Sequence, residues 1–394
     1  MELTPSADGL NRITTPTGDL WFSTEGIVQA ASRGARTLTG ATFSPGAVCA
    51  HTHLYSGLAP LGMPAAEPKP KNFLQILQRV WWRLDRALDE RALRAAARLY
   101  VAESLLSGTT TLIDHHESPH LIEGSLDILA DACDHLGIRA LLCYGATERN
   151  QGYEEGLRGL AECERFLKSR QTPSLKGMIA LHASFTVSDK LIRHAGDLAR
   201  ANETVLHVHL AEDAADVTDA QERGYAGPLA RLVALGAMPA GSIMAHGVHL
   251  TVAEVEELAH LGGWLVHNPR SNNGNGVGYA EHLAATSRVA LGTDGFPAKM
   301  AEEMIAVREG PSVAQLRLDT GRKIAAERFG RDFGLDEGGV ADVVVYHGDG
   351  SVAHVVVDGR IVVENGRLQT GDIEEIRNEA RDAAQSLWVR MGEF

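Results

Sequence analysis

The chain has 394 residues, 44% apolar content and a formal net charge of -14. This length suits one barrel of about 250 residues with a smaller appendage, and the negative charge, with no basic stripe, argues against a nucleic-acid polymer as partner. The four cysteines form no CxxC pair, so neither a thiolate zinc site nor a disulfide framework is indicated. No signal-peptide pattern and no apolar run of membrane-spanning length occurs, so we expect a cytoplasmic protein without a membrane partner.

Short apolar runs alternate with longer amphipathic stretches over residues 46–335, a pattern typical of repeated βα units. Helices are expected between the runs, for example over residues 72–106, 154–169 and 189–201. The pattern predicts an α/β fold with a (β/α)8 barrel, whose eight strands are segment 46–50 and the runs TTTLIDHH, ALLCYGATER, GMIALHA, TVLHVHLAED, SIMAHGVHL, GWLVHNPRSNN and RVALGTDGF.

The two ends of the chain do not follow this alternation. Residues 1–45 are rich in Gly and Thr with short β-like pieces, and the C-terminal runs VADVVVYHGD, VAHVVVDGR and IVVENGR are hairpin-sized with Asp-Gly and Asn-Gly turns. We therefore expect residues 1–45 and 336–394 to pair into one small β-sandwich-like domain beside the barrel, followed by a closing helix over residues 373–391.

Five of the predicted strands end in residues that bind transition metals, which are His51 and His53, His209, His246, His267 and Asp294. Parallel barrel strands carry their C-terminal ends to one face, so these side chains should converge on one pocket. His51 and His53 are two residues apart and share a face of their strand. Neutral imidazoles and a carboxylate suit zinc or a similar divalent ion. Each motif alone has a plainer interpretation, as packing for the histidines and as an Asp-Gly turn for Asp294.

Together the motifs resemble a known family. The segments PGAVCAHTHLYSGL, LHASFTVSD, HVHLAED, AHGVHL, HNPRSNN and LGTDGF are similar to the amidohydrolase superfamily, and within it to the aminohydrolase/chlorohydrolase branch of nucleobase and adenosine-type deaminases. The runs VWWRLDRALDE and GTTTLIDHHESP resemble the SsnA-type aminohydrolases of that branch. The resemblance extends from about residue 44 to residue 366.

The resemblance implies a role for each matching residue. His51, His53, His209 and Asp294 match the ligands of one divalent metal ion, with zinc expected before iron. Glu212 matches a glutamate that passes a proton to the substrate, and His246 a histidine that orients the attacking hydroxide. The implied reaction is hydrolytic deamination of an aminated N-heterocycle, in which metal-bound hydroxide attacks the C–NH2 carbon and Asp294 carries the proton to the departing ammonia.

Four further residues are predicted to contact the substrate: His182 after the fourth strand, which the resemblance implies, and His116, Arg149 and Trp82, for which packing is the alternative. His207 is expected to be a non-ligand, because the resemblance assigns the ligand role to His209. His267 is expected to be structural, although its position at a strand end leaves contact with the substrate or with a metal ligand open. Two other functions stay open from the sequence. One is hydrolysis of an amide or C–Cl bond by the same metal site, and the other is a non-catalytic barrel homologue. Whether the chain forms a homo-oligomer also stays open.

Overall fold

The first residues that the structure describes form short strands. The structure, a computed structural model, describes residues 10–30 and 36–394, so the expectations for residues 1–9 and 31–35 lie outside it. The first strands are β1 (Leu10–Thr15), β2 (Gly18–Ser23), β3 (Val28–Gln29), β4 (Arg36–Thr39) and β5 (Thr42–Pro45). The first four form a sheet in the order β3-β2-β1-β4, in which β1 pairs antiparallel with β2 and parallel with β4.

Parallel strands in the middle of the chain close into a barrel. They are β6 (Ala47–Thr52), β7 (Thr109–Asp114), β8 (Arg139–Leu142), β9 (Leu175–Gly177), β10 (Ile179–Ala183), β11 (Leu206–Leu210), β12 (Ile243–His246), β13 (Trp264–His267) and β14 (Val289–Leu291). Only Met178 separates β9, which pairs with β8, from β10, which pairs with β11, so the two occupy one barrel position. Thr293 N donates to His51 O at 2.9 Å and closes the ring. The predicted (β/α)8 barrel is confirmed.

Helices follow the strands. They are α1 (Phe73–Ile76), α2 (Trp82–Ala87), α3 (Glu90–Leu106), α4 (Ser125–Leu136), α5 (Tyr153–Ser169), α6 (Asp189–Ala201), α7 (Ala214–Glu222), α8 (Pro228–Ala234), α9 (Val252–His260), α10 (Pro269–Gly274), α11 (Met300–Ala306) and α12 (Pro311–Phe329). A π-helical turn, Leu77–Trp81, joins α1 to α2. The predicted helical stretch 72–106 is broken before α3, because Leu88 is extended and the Asp89 side chain caps the new helix by accepting from Ala92 N.

The C-terminal strands are β15 (Val343–Tyr346), β16 (Val352–Val357), β17 (Arg360–Glu364) and β18 (Arg367–Leu368), in a sheet ordered β18-β17-β16-β15-β5. Asp358-Gly359 and Asn365-Gly366 turn the two hairpins with φ values of 51°, 78°, 51° and 69°. Two successive positive φ angles are the requirement of a type I′ turn, which explains the Asp-Gly and Asn-Gly pairs seen in the sequence.

The two terminal sheets face each other through apolar side chains. Ile13, Phe22 and Leu38 from the first sheet pack with Val343 and Val345 from the second. Strand β5 pairs antiparallel with β15, with Ser44 opposite Val344, so the two ends of the chain share one sheet. The boundaries at residues 45/46 and 335/336 stay predictions.

The last helix, α13 (Ile373–Met391), lies against the barrel helices α2 and α3. Arg377 of α13 pairs with Glu103 of α3 at 2.9 Å, and Trp388 Nε1 donates to Leu61 O at 3.1 Å. None of the described helices has the length and hydropathy needed to cross a membrane.

Candidate metal centre and active site

The ends of three barrel strands have left-handed backbone conformations. Ala211, His246 and Asp294 follow or end β11, β12 and β14 with φ values of 49°, 76° and 51°. Non-glycine residues rarely adopt this region, and such strain concentrates at functional sites. The sharp turns bring the side chains from neighbouring strand ends toward one space inside the barrel mouth.

Four of the predicted metal ligands come together there. His53 Nε2 lies 2.8 Å and His51 Nε2 lies 3.3 Å from Asp294 Oδ1, and His209 Nε2 lies 3.3 Å from His53 Nε2. Ligand atoms bound tetrahedrally to zinc at 2.0–2.1 Å are separated by about 3.3 Å. His51 Nε2 is buried and has no hydrogen-bond partner within the described ranges. This donor set therefore fits one divalent metal ion.

The ring orientation of each imidazole is fixed by its other nitrogen. His53 Nδ1 donates to His115 O, His209 Nδ1 donates to His182 O at 2.7 Å, and His51 Nδ1 donates to His207 Nε2 at 3.0 Å. Each contact leaves a lone pair on Nε2, directed toward the centre. Such outer contacts hold ligand histidines in the tautomer that binds metal.

Three residues of one short segment support the catalytic side chains. Asn272 Oδ1 accepts from His246 Nδ1 at 2.8 Å, Ser271 Oγ donates to Asp294 Oδ2, and Asn275 Nδ2 donates to Glu212 Oε1 at 3.4 Å. Ser271 and Asn272 lie in α10 and Asn275 caps its C-terminus. Sequence reasoning assigned these residues no role, although the Ser/Asn run directly after the seventh barrel strand was a visible signal.

Glu212 and His246 face each other beside the metal ligands, with Glu212 Oε2 3.6 Å from His246 Nε2. Burial, together with the nearby Asp294 charge, raises the pKa of Glu212 well above its ordinary value. Burial also opposes ionisation of Asp294, but the close approach of His51 and His53 holds the pKa of that carboxyl well below its usual range. Two carboxyl groups pushed apart in this way suit separate duties as proton donor and proton acceptor.

A pocket with an aromatic wall opens above this centre. The wall comes from the α1–α2 segment and from the residues after β10. It consists of the aromatic side chains of Phe73, Trp81, Trp82 and Phe185 together with the aliphatic Leu77. His182 also lines the pocket, and its ring centroid lies 6.3 Å from that of Trp82. Two of the four predicted substrate contacts, His182 and Trp82, therefore border the pocket.

The other two predicted contacts lie behind the lining. His116 Nε2 is hydrogen-bonded to Ser118 Oγ at 2.8 Å. Arg149 Nη2 pairs with Asp85 Oδ2 at 2.8 Å, and the guanidinium stacks on Trp82 at 4.8 Å from the ring centroid. Arg149 therefore contacts the aromatic wall from its rear side.

Two more residues near strand ends differ in their position relative to the pocket. Glu117, three residues past β7, lines the pocket although sequence reasoning did not single it out. The sequence does carry a signal for Glu117, because it is an acidic residue directly after His115 and His116 at a strand end. His267 accepts at Nδ1 from Arg317 Nη1 at 2.8 Å, outside the pocket lining, in agreement with a non-ligand role.

Comparison with known proteins assigns the family. Residues 42–362 match the model of the amidohydrolase family. The chain belongs to that family. The resemblance described from the motifs is thereby confirmed, and with it the prediction of a hydrolase that acts on carbon–nitrogen bonds other than peptide bonds.

Curated relatives and solved structures resemble the chain over most of its length. It is 29% identical over 386 residues to 5-methylthioadenosine/S-adenosylhomocysteine deaminase 2 of Archaeoglobus fulgidus, covering 88% of each chain. It is 29% identical over 391 residues to 5'-deoxyadenosine deaminase of Methanopyrus kandleri, covering 87% of this chain and 86% of the relative. The predicted reaction type, hydrolytic deamination at a heterocycle with a metal, is confirmed by these relatives and by the His/Asp cluster.

Solved structures resemble this chain over nearly its whole length. A zinc-bound adenosine deaminase from Xanthomonas campestris has a TM-score of 0.78 at 22% identity, covering 96% of this chain and 98% of its own. Atrazine chlorohydrolase from Arthrobacter aurescens TC1, complexed with zinc, has a TM-score of 0.75 at 21% identity, covering 95% and 99%. At these identities the likeness shows the shared fold.

Proposed function

We propose that the protein deaminates a planar aminated N-heterocycle, with derivatives of adenine as the first candidates, using one zinc ion held by His51, His53, His209 and Asp294. The observation that carries the proposal is the position of Glu212, whose side chain is 12% exposed and lines the same pocket as His53, His209 and Asp294. The relatives named as deaminases of 5'-substituted adenosines support adenine as the ring to test first.

The proposed reaction converts a heterocycle–NH2 and water into the oxo product and ammonia. When bound, the metal supplies hydroxide at neutral pH, because coordination lowers the pKa of water from about 15.7 toward about 7. Glu212 donates its proton to the ring nitrogen beside the C–NH2 carbon, which reduces the charge that develops during attack. Asp294 takes the proton from water and delivers it to the departing ammonia, while His246 Nε2 orients the attacking oxygen. Glu212 regains its proton from the added hydroxyl group as the C=O bond of the oxo product forms.

The pocket lining favours a flat aromatic substrate. Trp81 and Trp82 present large apolar faces in the pocket lining, and Phe185 belongs to the same apolar cluster. Aromatic side chains bind planar rings by offset stacking and by removing apolar surface from water. His182 Nδ1 is engaged with Thr186 Oγ1 at 3.1 Å, so its Nε2 is oriented for a polar edge of the substrate.

The test is ammonia release by zinc-replete protein from a panel of aminated purines, pyrimidines, pterins and triazines. A chlorinated triazine and an amide are included to test the two rival reactions. Chloride release measures hydrolysis of the C–Cl bond, and carboxylate formation measures hydrolysis of the amide. Release of ammonia from at least one heterocycle supports the proposal, and absence of ammonia release from every heterocycle contradicts it. Chloride or carboxylate release in that case assigns the activity to the rival leaving group. The cytoplasmic location and a homo-oligomeric state stay predictions.

A further inference from the structure

Glu117 is a second carboxylate in the pocket, and the proposed chemistry does not use it. The residue is 3% exposed and lines the pocket together with His53, His182 and Glu212. One of its carboxylate oxygens lies within 4.8 Å of the nearest ring nitrogens of both His53 and His209. Glu117 is thus close to where the reacting ring must sit.

The hydrogen bonds of Glu117 are incomplete. The Tyr55 hydroxyl donates to Oε2 at 3.2 Å. Oε1 is buried and accepts no hydrogen bond within residues 10–30 and 36–394, although His115 Nε2 and His182 Nε2 lie 3.5 and 4.0 Å away. A buried carboxylate oxygen without a donor is costly, so a ligand that supplies one gains binding energy.

No cation satisfies Glu117 either. Across the described ranges, no Lys or Arg nitrogen lies within 4.0 Å of its carboxylate, and the ion pairs it makes involve the histidines alone. Arg149, the guanidinium behind the pocket, is already paired with Asp85 at 2.8 Å. The carboxyl group of Glu117, whose pKa burial raises to about 7, is therefore held by no Lys or Arg side chain.

The surroundings hold Glu117 closely. A Cβ atom at Gly145 would lie 2.9 Å from Glu117 Oε1 and 2.3 Å from His115 Nε2, so only glycine fits behind the carboxylate. The carboxyl group of Glu117 therefore packs closely against the backbone just after β8. A fixed acceptor of this kind discriminates between ligands that differ by one donor.

We propose that Glu117 is a specificity-determining residue that accepts a hydrogen bond from an N–H or O–H group of the substrate other than the amino group that leaves. The proposal rests on the deaminase function proposed above. Substrates that carry this donor are favoured, because those without it leave a buried carboxylate unpaired in the complex. A ring N–H and a sugar hydroxyl are the two sources of such a donor.

The experiment takes the best substrate of the panel and replaces its other N–H and O–H donors one at a time by N–CH3 or O–CH3. For an adenine ring the comparison is adenine, 9-methyladenine and adenosine. In the wild-type protein one replacement should lower kcat/KM by at least about tenfold, since hydrogen bonds to charged groups are the stronger ones. Loss on N-methylation identifies a ring donor, and loss on O-methylation identifies a sugar donor.

Glu117→Met should abolish this preference, while Glu117→Gln should keep part of it, because the amide oxygen still accepts. The matched control is Asp213→Asn, which removes a charge from the same lining and leaves a side chain that can still cap α7. This control variant should leave the ratio of kcat/KM between the methylated and unmethylated substrates unchanged. In the wild type, the inhibition constants of the methylated and unmethylated compounds should differ by the same ratio.

Three results would overturn the proposal: a best substrate with no donor besides its reacting amino group, equal kcat/KM for every methylated derivative in the wild type, or an unchanged ratio in Glu117→Met. Loss of bound zinc from Glu117→Gln would also overturn it, by assigning the carboxylate to the metal. The first three results require a deaminated substrate and the fourth is a metal measurement, so all are distinguishable from failure of the proposed function, in which no heterocycle releases ammonia.

Discussion

His246 and Asn272 are joined by a 2.8 Å hydrogen bond from the imidazole Nδ1 to the amide oxygen. The bond fixes the ring so that Nε2, buried and without a hydrogen-bond partner within the described ranges, points toward Glu212. Asn272 also belongs to the segment whose Ser271 and Asn275 hold Asp294 and Glu212. One helical turn after the seventh barrel strand therefore positions three groups of the proposed reaction.

Asn272→Ala should lower kcat by about tenfold to a hundredfold without loss of metal, because residues that orient catalytic histidines contribute on this scale. The measurement is steady-state ammonia release together with metal content. Asn273→Ala is the matched control, since the neighbouring asparagine is exposed and lies outside the pocket lining. Equal rates for the two variants would contradict the positioning role.

His51→Asn and His209→Asn should each lose the metal, whereas His246→Asn should retain it. Nε2 of His51 and of His209 belongs to the donor set around Asp294, while the proposal gives His246 a contact with the attacking oxygen. Because His246 also lies within 4.8 Å of these donor atoms, the comparison decides its role. Metal content after dialysis is the readout, and metal-free His246→Asn protein would make His246 a ligand.

Glu212→Gln should lower kcat by about a hundredfold to ten-thousandfold, the range that general acid catalysis contributes. Gln has nearly the same shape but cannot supply the proton. Metal content should stay equal to that of the wild type, and Glu222→Gln, an exposed residue at the end of α7, should behave as the wild type does. A fully active Glu212→Gln protein would remove Glu212 from the mechanism.

His116 and His267 should each reduce the stability of the metal-free protein as the pH falls below about 6.5. Burial lowers the pKa of His116 and of His267 to about 3, whereas burial raises the pKa of Asp114 and of Glu303 to about 7 and so acts in the opposite direction. Between pH 3 and 6.5 the two histidines bind more protons in the unfolded chain, so their contribution to stability is complete above 6.5 and declines as the pH falls toward 3. At one pH unit below 6.5 each such histidine costs about 1.4 kcal/mol.

Urea unfolding of metal-free protein at pH 7.5 and 5.5 measures this loss. His267→Gln should be less stable than the wild type at both pH values, because its contact with Arg317 is altered, yet it should lose less between them. An equal loss of unfolding free energy between the two pH values in the wild type and in His267→Gln would contradict a neutral buried His267.

The sequence predicts the barrel and the grouping of the metal-binding side chains for a physical reason. Apolar runs at regular spacing define the strands. Because the C-terminal ends of parallel strands meet at one face, His51, His209 and Asp294 converge irrespective of how the helices pack. The Asp-Gly and Asn-Gly turns near residues 358 and 365 are equally local, since they depend on the φ angles of two residues.

Other features depend on contacts between distant parts of the chain. A position at a strand end does not tell on which side of the barrel wall a side chain lies. His116 and Glu117 are adjacent, yet only Glu117 lines the pocket. Arg149 is held away from the lining by Asp85, which is 64 residues earlier in the chain. Such pairings have no periodic signal in the sequence.

The central claim is hydrolytic deamination that depends on one metal ion. Its most direct test is to measure ammonia and oxo product with the best heterocycle before chelation, after chelation and after adding back one equivalent of Zn²⁺. The account predicts that ammonia and product form in a one-to-one ratio, cease without metal and recover with a single equivalent. Undiminished ammonia release from fully metal-free protein would contradict it.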